Sequence, residues 1–126
     1  MFAGLGTLVM RSSRLAFACC LFAPASALAD PPVYTATNAA GQVEVILEDH
    51  RFTPSEIHVP ANKKAELLTK NRDATADEFD STTLRVEKVI AGKGEGVVRL
   101  RALSPGRYPF MGEFNAQTAQ GVVVAE

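Results

Sequence analysis

The chain has 126 residues, of which 47% are hydrophobic, and a formal net charge of −1 at neutral pH. This length provides for one small domain with a two-layer core. The near balance of 13 basic and 14 acidic side chains excludes the strongly basic surface that nucleic-acid-binding proteins usually carry.

Residues 1–29 have the pattern of a secretory signal peptide. Two arginines precede the apolar run 15–22, and small residues follow it at the positions that signal peptidase reads. The run is too short to span a bilayer, so we expect cleavage after Ala29 and export to the periplasm, with either Met1 or Met10 as the start. Cleavage would leave 97 residues, 11 of them basic and 14 acidic, with a net charge of about −3 and no cysteine.

The remaining chain is predicted to form an all-β domain. Residues 30–41 are rich in proline and alanine and indicate an extended lead-in, and the domain itself covers 42–126. Short segments in that range alternate polar and apolar residues with a period of two, which is typical of half-buried strands. The predicted strands are 42–48, 56–59, 65–70, 84–90, 97–103, 105–114 and 121–124. Turn signals recur at short intervals and no window keeps helical spacing, so the pattern predicts a β-sandwich.

Two connections between the strands are distinctive. Residues 71–83 are predicted to be a long polar loop, with crowded acids and one aromatic residue, Phe79. The glycine-rich segment 92–96 is predicted to be a hairpin loop between its two flanking strands. It is not a phosphate-binding loop, because such a loop leads into the N-terminus of a helix.

The stretches 52–61, 71–79 and 105–108 together resemble a cupredoxin-like domain. The segments 78–81, 84–90 and 112–114 are similar to one branch, the small cupredoxins of bacterial ferrous-iron uptake. The resemblance implies a Greek-key β-sandwich in the periplasm, with an iron permease and a periplasmic iron-binding protein as partners.

A blue copper centre is excluded by the residue types. Such a centre needs a cysteine thiolate and two imidazoles. In the pattern that the chain resembles, the cysteine would fall at Gly112, the first histidine near Asp77, and the last ligands within 115–120, where there is neither histidine nor methionine. The iron-uptake branch commonly has histidine where this chain has Asn115.

An oxygen-rich site for copper or iron remains open, because carboxylates suit ferrous iron, manganese or Cu(II). The resemblance places a glutamate ligand at Glu78, and strand alternation places Met111 and Glu113 on one face and Phe110 and Phe114 on the other. The predicted metal-binding residues are Glu78, His50, Met111, Glu113 and Asp77, with Asp80 at the rim. Each also has a simpler interpretation: the acids as a solvated turn, His50 as a partner of backbone groups, and Met111 as a gap-filler. His58 is expected to face outward, as a surface residue, between two inward-facing neighbours.

Two functions therefore remain. In the first, the protein binds copper or iron at a site that is not blue copper and assists Fe(II) oxidation before uptake through a permease, by one-electron transfer to bound Cu(II) or to a redox partner. In the second, it is a metal-free module that docks on a transport partner, which the missing cysteine and Asn115 favour. Hydrolytic chemistry is not expected, because no serine lies in a nucleophile elbow and cleavage would remove both cysteines.

Overall fold

A computed structural model describes residues 3, 4, 6 and 24–126 of the chain. The chain divides into two units, Met1–Asp30 and Pro31–Glu126, and most of the predicted signal peptide lies outside the described residues. Within the residues described, no helix has the length and apolar character needed to cross a membrane.

Unit Pro31–Glu126 is a sandwich of two β-sheets, as predicted. Its strands are β1 (Val43–Glu48), β2 (Arg51–Thr53), β3 (Glu56–Val59), β4 (Ala65–Asn71), β5 (Asp77–Ser81), β6 (Val86–Ile90), β7 (Glu95–Leu100), β8 (Gly106–Gly112) and β9 (Gln120–Ala125), and a 3₁₀ helix covers Glu113–Asn115. One sheet has the strand order β2-β1-β4-β7 and the other the order β3-β9-β8-β5-β6. The pairs β1–β4 and β3–β9 are parallel, and the remaining pairs are antiparallel.

The core forms where the alternating strands turn their apolar side chains toward one another. Ile57 and Val59 are buried and His58 between them faces outward, as the alternation predicted. Three aromatic rings fill the centre: Phe79 and Phe110 stack with centroids 4.6 Å apart, and Phe52 meets both edge-on at 5.9 and 5.1 Å. Such pairs contribute about 0.5–1.5 kcal/mol each beyond the area they bury.

The prediction of a loop over 71–83 is wrong, because the segment contains β5. Every second residue of this strand faces inward: Asp77, Phe79 and Ser81. Only Phe79 is apolar, so the sequence does not show the alternation of polar and apolar residues that identifies a strand. The buried hydroxyl of Ser81 donates a hydrogen bond to the carbonyl oxygen of Pro109 at 2.6 Å. A polar segment can therefore be a buried strand, because its polar groups find partners.

The prediction of a hairpin around 92–96 is also wrong. Strand β6 pairs with β5, whereas β7 pairs with β4 in the other sheet, so the glycine-rich connection crosses between the sheets. The crossing brings Gly92 against the backbone of Ala74, where an added Cβ would lie 2.0 Å from the Ala74 carbonyl oxygen. The sequence-based pairing failed because β5, the true partner of β6, had been taken for a loop.

Candidate functional site

Asp77, Gly112 and Asn115 meet at one end of the sandwich, which we call the inner pole. The sequence resemblance placed the cysteine of a copper centre at Gly112, its first histidine near Asp77 and its last ligands within 115–120. Asp77 begins β5, faces inward and is only 2% exposed. Its Oδ1 accepts hydrogen bonds from the backbone N–H groups of Glu78 at 2.8 Å and Phe114 at 3.1 Å. Its Oδ2 accepts one from the side-chain amide of Asn115 at 2.9 Å.

Gly112 ends β8 and leaves the space that the Asp77 carboxylate occupies. A Cβ at this position would lie 2.7 Å from Asp77 Oδ2 and 2.8 Å from the Cβ of Ala119. The backbone N–H of Gly112 also donates to the carbonyl oxygen of Ala119 at 2.8 Å, which holds the two residues together. A side chain at Gly112 would therefore have to displace the carboxylate.

The inner pole does not fit a copper ion. A blue copper site uses a thiolate and two imidazoles, whereas these positions supply a carboxylate, an amide and a residue without a side chain. The carboxylate already accepts three hydrogen bonds. Sequence reasoning treated Asn115 as a lost ligand; the structure shows it as the partner of Asp77.

Glu78 and Glu113 form a carboxyl pair on the outside of the same end, which we call the outer pair. Glu78 points away from the core on β5, and Glu113 is the first residue of the 3₁₀ helix that follows β8. Partial burial, the neighbouring carboxyl group of Glu113 and the negative charges of Glu113, Glu87 and Asp80 raise the pKa of Glu78. The outer pair is therefore a place where two acidic side chains lie close together and a positive charge would be stabilised.

Met111 lies beside the outer pair on the same sheet. It is 39% exposed and stands opposite Asp80 in the register of β8 and β5. Both residues line a groove of about 440 Å³ that opens where these two strands diverge, together with Pro109 and Gln120. Met111 is thus exposed while Phe110 beside it is buried, as the strand alternation predicted.

The predicted inward direction of Phe114 is wrong. Strand alternation ends at Gly112, and the 3₁₀ helix turns Phe114 outward, where it is 57% exposed. Phe110, which lies inside the regular part of β8, is buried as expected.

His50 lies in the corner between β1 and β2. The backbone N–H groups of Asp49 and His50 donate to the two oxygens of the Asp73 carboxylate at 2.8 and 3.0 Å, and the imidazole Nδ1 lies 3.4 Å from Asp73 Oδ2. These hydrogen bonds, that from His50 first, lower the pKa of Asp73. The ring borders a shallow cavity of about 440 Å³ shared with Phe114 and Asn115, so His50 is close to the inner pole but bound to an acid outside the predicted set.

The five predicted metal-binding residues are thus divided among three places. Asp77 is inside, Glu78 and Glu113 form the outer pair with Met111 nearby, and His50 is paired with Asp73. Among residues 3, 4, 6 and 24–126, no three histidine, cysteine, aspartate or glutamate side chains are grouped so that they could hold a metal ion. The role of Asp73 was missed, because nothing in the sequence shows that segment 71–75 lies against the corner at 49–50.

A second group of charged side chains lies around His58 on β3, an edge strand of the five-stranded sheet. The imidazole of His58 lies between two carboxylates, with Nδ1 2.6 Å from Glu126 and Nε2 2.8 Å from Glu56. The hydrogen bonds to Glu126 and Glu56 raise the pKa of His58. His58 faces outward as expected, but it is held by charged partners.

A model of the family described as cupredoxin-like domain matches residues 14–125. A protein of Rickettsia prowazekii (strain Madrid E), itself uncharacterized, is 35% identical over 83 residues, and the alignment covers 66% of each chain, slightly less than two thirds of that relative. Among solved structures, the metal-binding domain of the Cu(I)-exporting P-type ATPase CopA of Streptococcus pneumoniae D39 is similar, with a TM-score of 0.60 at 17% identity over 72% of this chain and 92% of that one. Auracyanin A, a blue copper protein of Chloroflexus aurantiacus, has a TM-score of 0.58 at 14% identity, covering 68% and 98% of the two chains. At these identities the solved structures show a common fold.

Proposed function

This chain belongs to the cupredoxin-like domain family, and on that basis we propose that it is a periplasmic protein of ferrous-iron uptake that holds a divalent cation at Glu78 and Glu113. The observation that carries the proposal is the outer pair itself, in which burial and the neighbouring carboxyl group of Glu113 raise the pKa of Glu78. A divalent cation between the two carboxylates would remove the repulsion between their negative charges.

The chemistry of the pair selects for hard cations. Two carboxylates with water completing the coordination suit Fe(II) or Mn(II), whereas Cu(I) prefers sulfur. Met111 and Asp80 lie on the same face and would line the approach to the cation. Binding is expected to be weak enough for transfer, since few protein ligands converge there.

The proposed role is to receive ferrous iron from a periplasmic iron-binding protein and pass it to a membrane permease. The inner pole offers neither a thiolate nor an imidazole, and its carboxylate is taken up by three hydrogen bonds, so any oxidation of the iron would need a one-electron acceptor on a partner protein. Anionic oxygen at the outer pair would then favour the Fe(III) product, because the more highly charged ion gains more from it.

Titration calorimetry with Fe(II) under anaerobic conditions, and with Mn(II), tests the proposal. We expect saturable binding that Glu78→Gln and Glu113→Gln each weaken at least about tenfold, as loss of metal-site groups commonly does. Glu66→Gln, which alters a carboxylate on the other sheet, is the matched control and should leave binding unchanged. Binding that is absent, or insensitive to both changes in the outer pair, would refute the proposal.

The same calorimetry measures the proton that the cation displaces. Because the pKa of Glu78 is raised, cation affinity should increase as pH rises through that pKa, where the competing proton is lost. Titrations in two buffers of different ionisation enthalpy should show proton release at pH values near the raised pKa, and the release should vanish in Glu78→Gln.

A metal-free docking module is the second candidate, and the exposed ring of Phe114 favours it. This ring projects from the inner pole beside a cavity of about 440 Å³, while the Asp77–Asn115 bond closes the pole behind it. Metal analysis of the protein isolated from its native periplasm separates the two candidates. Stoichiometric iron or manganese supports the first, whereas metal-free protein that binds the permease through Phe114 supports the second.

A further inference from the structure

At the inner pole, hydrogen bonds to one side chain link β5 to the segment that follows β8. In the copper-site pattern that the sequence resembles, ligands from these two parts of the chain would be joined through the metal ion. Here the same two parts are joined by one buried carboxylate. Asp77 belongs to β5, and its partners Phe114 and Asn115 belong to the 3₁₀ helix between β8 and β9.

We infer that the Asp77 carboxylate takes the structural place of the metal ion at the inner pole, and that it sets the spacing of the outer pair. The first part follows from position and contacts. Asp77, Gly112 and Asn115 lie close together, as the ligands of one metal ion would. They are held there by hydrogen bonds to the carboxylate of Asp77, which is 2% exposed. Hydrogen bonds to a buried charge are among the stronger ones in proteins.

The second part, the spacing of the outer pair, follows from the two donors that share Asp77 Oδ1. Asp77 Oδ1 binds the backbone N–H of Glu78 and the backbone N–H of Phe114, the residue directly after Glu113. The main-chain positions of both members of the outer pair are therefore fixed from a single atom. Asp77 is in this sense a positioning residue: it faces the core, while the carboxyl groups that it positions face solvent.

Glycine at position 112 is part of the same arrangement. A Cβ at position 112 would lie 2.7 Å from Asp77 Oδ2. A cysteine at position 112 therefore cannot be accommodated beside Asp77 unless the carboxylate is displaced. The inner pole is thus organised for the carboxylate, whether or not the outer pair binds a cation, and the inference does not depend on the proposed function.

The stability part of the inference is tested by urea unfolding of the purified protein, with and without a chelator and with no added metal. We expect the unfolding midpoint of Glu78→Gln, in which the proposed cation site of the outer pair is disabled, to be unaffected by chelation. Asn115→Ala removes one donor to Asp77 without changing charge and should raise the unfolding equilibrium constant about tenfold or more. Asp77→Asn puts an NH₂ group against one of its former donors and should raise it at least as much. Asp80→Asn, on the same strand but facing outward, is the matched control and should change it by no more than about twofold.

Either of two results overturns this part. One is a midpoint of Glu78→Gln, in which the outer pair is disabled, that falls on chelation as far as Asn115→Ala lowers the wild-type midpoint, which would mean that a metal holds the inner pole. The other is an effect of Asn115→Ala no larger than that of Asp80→Asn. If Asp77→Asn does not fold, Asn115→Ala still decides, because it leaves the carboxylate and both backbone donors in place.

The positioning part is tested by NMR of the backbone amide groups of Glu78 and Phe114, which both donate to Asp77 Oδ1. Asn115→Ala frees one side of the carboxylate, so the amide proton resonances of Glu78 and Phe114 should shift together. A purely structural loss of stability would not move these two resonances while the protein stays folded. Unchanged resonances of Glu78 and Phe114 in folded Asn115→Ala overturn the positioning role, and the samples contain no added cation, so failure here is distinct from failure of the proposed function.

Discussion

Gly112→Ala should destabilise the protein through its contact with Asp77. The new Cβ would lie 2.7 Å from Asp77 Oδ2, whereas ordinary contact begins at 3.4 Å, so the carboxylate would have to withdraw by about 0.7 Å. The 2.9 Å bond from Asn115 would then stretch beyond hydrogen-bonding range. Overpacking costs about 1–3 kcal/mol, and a lost hydrogen bond to a charged group costs about 1.5–3 kcal/mol. We therefore expect a loss of about 3 kcal/mol or more in the free energy of unfolding.

A double-mutant cycle in urea identifies the cause of this loss. In an Asp77→Ala background the obstructing carboxylate is absent, and Gly112→Ala should cost only about 1 kcal/mol, for the remaining contact at 2.8 Å with the Cβ of Ala119. The two changes should thus be less than additive by about 2 kcal/mol. In an Asp80→Ala background, the control, the full cost should persist. Additivity of Gly112→Ala and Asp77→Ala to within about 0.5 kcal/mol would refute the reasoning.

Three further predictions concern stability. The buried hydroxyl of Thr69 has no hydrogen-bond partner within the described part of the chain, so Thr69→Val should raise the free energy of unfolding by about 1 kcal/mol; a decrease in urea unfolding would contradict this. Phe79→Ala should cost about 3–5 kcal/mol in the same assay, because Phe79 is buried between two other rings, and a cost below about 1 kcal/mol would show that the ring is not part of the core. The raised pKa of His58 means that its stabilising charge is fully present below about pH 6.5 and is lost as pH rises through the raised value. Unfolding midpoints should therefore fall across that range in the wild type, and His58→Gln should remove this part of the slope; the same slope in both proteins would assign it to another group.

Much of the fold could be predicted because most strands have one apolar face. Segments such as 43–48 and 56–59 alternate regularly, and their burial follows the pattern. Strand β5 could not be predicted in this way, because two of its three inward residues are polar and their burial depends on partners distant in the chain. Because β5 was missed, the strand pairing predicted for its neighbour β6 was also wrong.

The arrangement of the candidate site could not be predicted from the sequence. The resemblance placed a ligand at Glu78 and strand alternation put Glu113 with Met111, and metal binding by this set stays a prediction. The distinction between Asp77 and Glu78 depends on strand direction: adjacent residues on β5 face opposite sides of the sheet. The pairing of His50 with Asp73 depends on loop contacts that leave no pattern in the sequence.

The parallel pairing of β3 with β9 has a consequence for the time at which the domain can form. Glu56 pairs with Val122, 66 positions later, and β9 is the only strand beside β3 in its sheet. During synthesis this sheet stays incomplete until the last strand has left the ribosome, and pairings so distant in sequence make folding slow.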